Sequence, residues 1–217
     1  MDFELTQDQQ IFYDSVKRFA VNELADGAVD RANSDGYLWD IAARFAEMGL
    51  LGITIPESKG GIGGSLTDAV LAIQAIAEVC PRSADVVQAG NFGAIRTFAE
   101  YANADQLARI LPDLLAGNGV MSVGMSEPDA GSSVTELKTS ATPDGDDFLV
   151  NGSKVFGTNS GDAEVFLIYL RFGPGTEGIG SALIEKGTAG FEIGPGYRYM
   201  NGESWSPLYF DNCRIPK

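Results

Sequence analysis

The sequence is 217 residues long, 44% hydrophobic and 21% charged, the composition of a folded chain with enough length for one large domain or two small ones. A net charge of −15 excludes the basic stripe that nucleic acid needs, and any anionic ligand must be held by local donors against the overall field. The sequence contains no histidine, which removes Ser-His-Asp and Cys-His nucleophiles, histidine bases and histidine metal centres.

The N-terminus, MDFELTQDQQ, is acidic and polar, unlike a secretory signal or an Arg-rich transit peptide. Thr6 and Gln9 form a capping-box pattern ahead of an apolar stripe, Ile11, Phe12, Val16, Phe19 and Ala20. Leu38, Ile41, Phe45 and Met48 repeat at helical spacing and stop at Gly49. Ser65 and Asp68 cap a third helix with Val70, Ile73, Ile76 and Ala77 as its stripe, closed by Pro81. Two more helices are expected over Ala84–Tyr101 and Asp105–Ala116. The longest apolar run, AVLAIQAIAEVC, is broken by Gln74 and Glu78 and is too short to span a membrane. Cys80 and Cys213 form no CxxC; free buried thiols, no metal site and a reducing, cytoplasmic setting are the expectations.

From Val120 the period shortens. VMSVGM, KTSATP, DFLVNGSKVFG, EVFLIYLRF, IGSALIEKG, GFEIG and SPLYFDNCRIP are β-branched or aromatic runs separated by PDGD, NSGD, GPGTEG and KGTAG. Helices followed by strands give an α+β fold, a helical domain over residues 1–118 and an antiparallel β-barrel or sandwich over 119–217.

Several stretches could carry chemistry. GPGTEG, at 173–178, matches the dinucleotide fingerprint in letters, but no helix opens after it, so a hairpin loop is expected. NGS, at 151–153, reads as a hairpin turn. PESKGGIGGS, before the third helix, reads as an inter-helix loop or a backbone closely approached by another group. MSEPDAGSS, leaving the first strand, concentrates turn formers with Ser126, Ser132 and Ser133 and can offer successive backbone N–H groups to an anion. KVFGTN puts Phe156 two residues before the Thr158 hydroxyl, an aromatic face beside rim donors that suits a flat heteroaromatic ring.

LTQDQQIFYDSVKRFA, PESKGGIGGSLTDAVLAIQAIAEV, the run from MSVGMSEPDAGSS to GDAEVFLI, and LYFDNCRIP together resemble the acyl-CoA dehydrogenase family of flavoproteins, in family order and over nearly the whole chain. The resemblance implies an N-terminal helical domain, a middle β domain and a C-terminal four-helix domain, with FAD as cofactor. It implies that Met125 and Ser126 lie along the flavin, that Phe156 packs on the ring, that the Thr158 hydroxyl bonds near its reactive nitrogen, and that Gly157 between them is also cofactor-binding. Gly131 and Ser132 would approach the acyl-thioester ligand. Three departures accompany it: Ser133 stands where the family has an aspartate, MNGESWSP lacks a Gly-x-Arg, and the chain ends at Lys217, before the C-terminal domain that supplies the carboxylate base.

The function implied is α,β-desaturation of an acyl-CoA or acyl-carrier thioester, by a fragment or a subunit that is inactive alone. Its partners would be a helical domain, in a homo-oligomer or heteromer, and an electron-transfer acceptor. A flavin monooxygenase or oxidase of the same fold, or a non-catalytic structural subunit, are the alternatives. No catalytic base is assigned within the sequence, and Glu127 is expected to order its loop.

Overall fold

A computed structural model describes residues 4–217, which divide into two compact units, 4–119 with Met200–Glu203, and 120–199 with 204–217. The description of the N-terminus as unlike a targeting peptide rests in part on residues 1–3, outside the described residues.

The first unit is helical: α1 (Gln7–Glu23), α2 (Ala28–Asn33), α3 (Trp39–Glu47), α4 (Leu66–Ala77), α5 (Pro81–Ala89), α6 (Ala94–Tyr101) and α7 (Ala104–Leu115). The expected capping boxes form at Thr6–Gln9 and Ser65–Asp68, and Asn103–Gln106 adds a third. In α4 the expected stripe is only partly the buried one: Ile76 is buried and Ile73 and Ala77 are half-buried, but the centre of the buried face is shifted. Val70 is half exposed, and Ala69, Ala72 and Ala75 are fully buried with Ile76, small residues that let neighbouring helices approach closely. In α1, Val16 and Ala20 are buried but Ile11 is exposed. The helix expected over Ala84–Tyr101 is two, because the chain turns between Ala89 and Ala94 and Gly93 takes φ 63°. Pro81 begins α5, where its missing N–H costs nothing. The short α2 had no clear periodic signal.

The second unit is one curled sheet built from β1 (Met121–Gly124), β2 (Ser140–Asp144), β3 (Asp147–Thr158), β4 (Val165–Arg171), β5 (Ile179–Glu185), β6 (Phe191–Ile193), β7 (Tyr197–Arg198) and β8 (Ser204–Pro216). Strands neighbour in the order β1-β4-β2-β3-β8-β6, with β5 on β4 and β7 on β8. Most pairs are antiparallel, while β1 and β2 run parallel to β4, so the sheet is mixed. Val150, Phe166, Ile168, Leu170, Leu208 and Cys213 fill its interior. GPGTEG is the β4–β5 loop, as expected. NGS is not a turn: it lies inside β3, where Gly152 (φ 139°) sits at a break in register with β8 and an added Cβ would meet Thr139 Cα at 2.7 Å. Both cysteines are free and buried, and no described helix is long and apolar enough to cross a membrane.

One polar cluster in the helical unit is built around Asp85. Its Oδ2 accepts from Asn201 Nδ2 at 3.1 Å and lies 3.8 Å from Nη1 of the fully buried Arg82, which also donates to Gly36 O. Burial, and then the Glu203 charge, push the Asp85 carboxyl up to about 7 in spite of Arg82. The folded chain therefore holds this proton where the unfolded chain has released it. The resulting stabilisation is complete below about pH 4 and is lost as pH rises through about 7. Urea midpoints should accordingly fall between pH 5 and pH 8, and Asp85→Asn should reduce the fall by an amount on the order of 2 kcal/mol. Parallel pH profiles for parent and variant would contradict this assignment.

Candidate functional site

The β1–β2 connection and the end of β3 meet at one edge of the sheet. Ser126 O accepts from Val155 N at 2.9 Å, and Ser122 Oγ donates to Thr158 O at 2.8 Å, so the Met125–Ser126 strand exit lies against the Phe156–Thr158 strand end. The sequence-predicted residues Met125, Ser126, Phe156, Gly157 and Thr158 are thus brought together. Gly131 and Ser132 sit further along the turn, exposed, and a Cβ on Gly131 would meet nothing within 4 Å.

Phe156 is the most unusual residue of this edge. It sits where β3 slips register against β8, between Lys154 and Gly157, and its φ is 58°, a left-handed value that a bulky side chain rarely takes. The residue is 53% exposed, and its ring lies 4.7 Å from the Trp205 ring. Trp205 in turn stacks on Tyr197 at 4.7 Å and Tyr199 at 6.1 Å. A strained backbone that presents an aromatic face instead of burying it is the arrangement expected where a ligand supplies the missing cover. Thr158 is half-buried, and its hydroxyl makes only a long 3.5 Å contact to Phe156 O. A planar ring with acceptors on its rim fits this donor set.

Behind the edge lies an ion pair that sequence reading did not single out. Lys154 is fully buried, and its Nζ donates to Glu127 Oε1 at 2.8 Å and to Met125 O at 3.1 Å. Glu127 also accepts from Lys138 N (2.7 Å) and Thr139 N (2.9 Å). Burial pushes its carboxyl up, but these hydrogen bonds outweigh burial and hold it below the usual carboxylate range. Burial drags the Lys154 ammonium below the usual lysine range, with Glu127 opposing. Within the turn, Glu127 and Ala130 exchange both backbone hydrogen bonds, so these N–H groups face inward and offer no nest to a ligand. The anion that this loop does bind, through the amides of Lys138 and Thr139, is its own Glu127.

Trp205 was also missed. A lone tryptophan in SWSPLYF reads as an ordinary strand residue, and only the β3–β8 register (Thr158 opposite Trp205) brings it to Phe156. Among the described residues there is no cluster of His, Cys, Asp or Glu able to hold a metal.

Comparison with known proteins identifies both units. Residues 6–118 match the family profile of the acyl-CoA dehydrogenase N-terminal domain, and 122–213 that of the middle domain. An acryloyl-CoA reductase (NADH) from Anaerotignum propionicum is 32% identical over 222 residues, covering 100% of this chain and 56% of that protein. The mitochondrial isobutyryl-CoA dehydrogenase of Dictyostelium discoideum is 32% identical over 216 residues, covering 98% and 52%. A solved glutaryl-CoA dehydrogenase from Mycobacterium smegmatis, in complex with FADH2, superposes with a TM-score of 0.87 at 25% identity, covering 98% of this chain and 54% of that one. The chain spans little more than half the length of these relatives.

The buried pair makes a stability prediction. Glu127→Gln leaves the Lys154 ammonium buried without a counter-charge and should cost about 3–5 kcal/mol. Adding Lys154→Met removes the orphaned charge, the larger cost, while the glutamine carbonyl still accepts from one of the two backbone amides, so the double variant should recover most of the loss. Urea unfolding of the four proteins of this cycle measures the coupling; strictly additive losses would contradict it.

Proposed function

Because this chain belongs to the acyl-CoA dehydrogenase family, we propose that its second unit, residues 120–199 with 204–217, forms the flavin-facing part of an FAD-dependent acyl-thioester dehydrogenase. The observation that carries this reading is the strained, exposed Phe156 ring beside the Ser126 and Thr158 hydroxyls on one edge. Phe156 stacks on the isoalloxazine, with Trp205 packed behind it as support. Ser126 and Thr158 donate to the polar rim, while Met125 and Gly157 supply the backbone flanking the ring. Gly131 and Ser132, exposed further along the turn, are assigned to the thioester ligand. FAD, when bound, supplies the two-electron acceptor that desaturation requires.

A base must also remove a proton α to the thioester carbonyl. Within the β unit the nearest carboxylates are poorly suited to that. Glu127 is buried with its oxygens engaged by Lys138, Thr139 and Lys154, and Asp129 is paired in solvent with Lys138 at 3.1 Å. Glu127 therefore orders the loop, and the base is assigned to a segment or partner outside this unit. An acyl-CoA or acyl-carrier substrate, a homo-oligomer or heteromer with a helical domain, and a separate electron acceptor belong to the same proposal.

Titrating the chain with FAD tests the ring assignment. Phe156→Ala should weaken binding about fivefold, the worth of roughly 1 kcal/mol of stacking, with an unchanged urea midpoint. Equal affinity in parent and variant would remove Phe156 from the site. A second assay, with FAD, acyl-CoA thioesters and an artificial acceptor, should show no turnover by the 217-residue chain. Turnover would place the base among these residues.

A further inference from the structure

We infer that Lys154 and Glu127 act as a positioning clamp, fixing where Ser126 stands relative to Phe156 and Thr158; the inference rests on the flavin reading above. Three separate stretches of chain converge on this one charge pair. The exit of β1 contributes Met125 O and the Glu127 carboxylate, the entry of β2 contributes the amides of Lys138 and Thr139, and β3 contributes the Lys154 ammonium. Ser126 is therefore flanked on both sides by anchored residues, and its own carbonyl is tied to Val155 N, the residue between Lys154 and Phe156. A rotation of the strand exit that moved the Ser126 hydroxyl would have to break at least one of these bonds.

The route of the lysine stem supports a dedicated role. At Gly124 an added Cβ would meet Lys154 Cγ at 3.3 Å, Leu208 Cδ1 at 3.2 Å and Ile168 Cδ1 at 2.6 Å, so the last residue of β1 has no side chain where the lysine passes. Stability alone gives little reason to bury this pair, since a well-packed apolar pair of similar volume serves a core as well or better. What apolar packing lacks is direction. A charged donor shared between a backbone carbonyl and a carboxylate fixes the Met125–Glu127 backbone in position and orientation.

The double variant Lys154→Met/Glu127→Gln separates positioning from stability, because it removes both charges while the glutamine carbonyl still accepts from one of the two amides, Lys138 N or Thr139 N. Two measurements on the full chain are needed: hydrogen exchange at the Val155 amide without ligand, and FAD affinity by titration. The clamp predicts that the double variant recovers most of the stability lost by Glu127→Gln. It also predicts that this variant keeps faster Val155 exchange and binds FAD at least tenfold more weakly than the parent. Parent-like exchange in the double variant overturns the clamp. Faster exchange with FAD affinity within twofold of the parent makes the pair structural only and overturns the positioning role. A parent chain that takes up no FAD overturns the flavin reading itself, and this inference with it.

Discussion

A lysine ammonium and a glutamate carboxylate buried together are tolerable only while each has the other and their remaining hydrogen-bonding capacity is met nearby. In the β unit that condition draws three chain segments to one point, because Lys154 and Glu127 alone do not satisfy each other. The turn after β1, the start of β2 and the far end of β3 are then held in register by the same few atoms. The exposed edge that carries Phe156 and Thr158 is the outward side of this arrangement. The left-handed backbone of Phe156 lies two residues from the buried Lys154 of this pair.

The overall acidity of the chain gives this local structure added weight. With a net charge of −15, an anionic cofactor or thioester gains nothing from the long-range field. Recognition therefore has to rest on short-range contacts: an aromatic face, oriented hydroxyls and backbone amides. Glu127 occupies the amides of Lys138 and Thr139 itself, so under the proposed function the aromatic face and the hydroxyls are left to hold the ring at this edge.

Much of the architecture was legible from local signals. The caps at Thr6 and Ser65 are chemistry within four residues, and the β runs are bounded by turn clusters that the structure uses as turns. Failures arose where a tertiary contact overrode a local preference. The α4 stripe was assigned to Val70, Ile73, Ile76 and Ala77, of which Ile76 is buried, whereas close helix packing also buries the alanines at 69, 72 and 75 and leaves Val70 exposed. The break between α5 and α6 lay in the GNFG run and was available in principle; apolar periodicity on either side obscured it. NGS has the composition of a turn, but Gly152 serves a close approach to Thr139 within a strand. At the proposed site, residue type and spacing single out Phe156 and Thr158 as an aromatic beside a hydroxyl, the family resemblance adds Ser126, and the backbone brings the three stretches together. Lys154 could not, since a lysine in a strand normally points to solvent, and its partner is 27 residues away in sequence.

A structure of the chain, or of a longer protein containing it, with FAD bound would test the central claim most directly. The account predicts an isoalloxazine ring in stacking contact with Phe156 and hydrogen-bonded at its rim by the Ser126 and Thr158 hydroxyls, with Glu127 still locked to Lys154 behind them. A ring seated away from Phe156, or a Glu127 carboxylate released from Lys154 and turned toward the ligand, would contradict it.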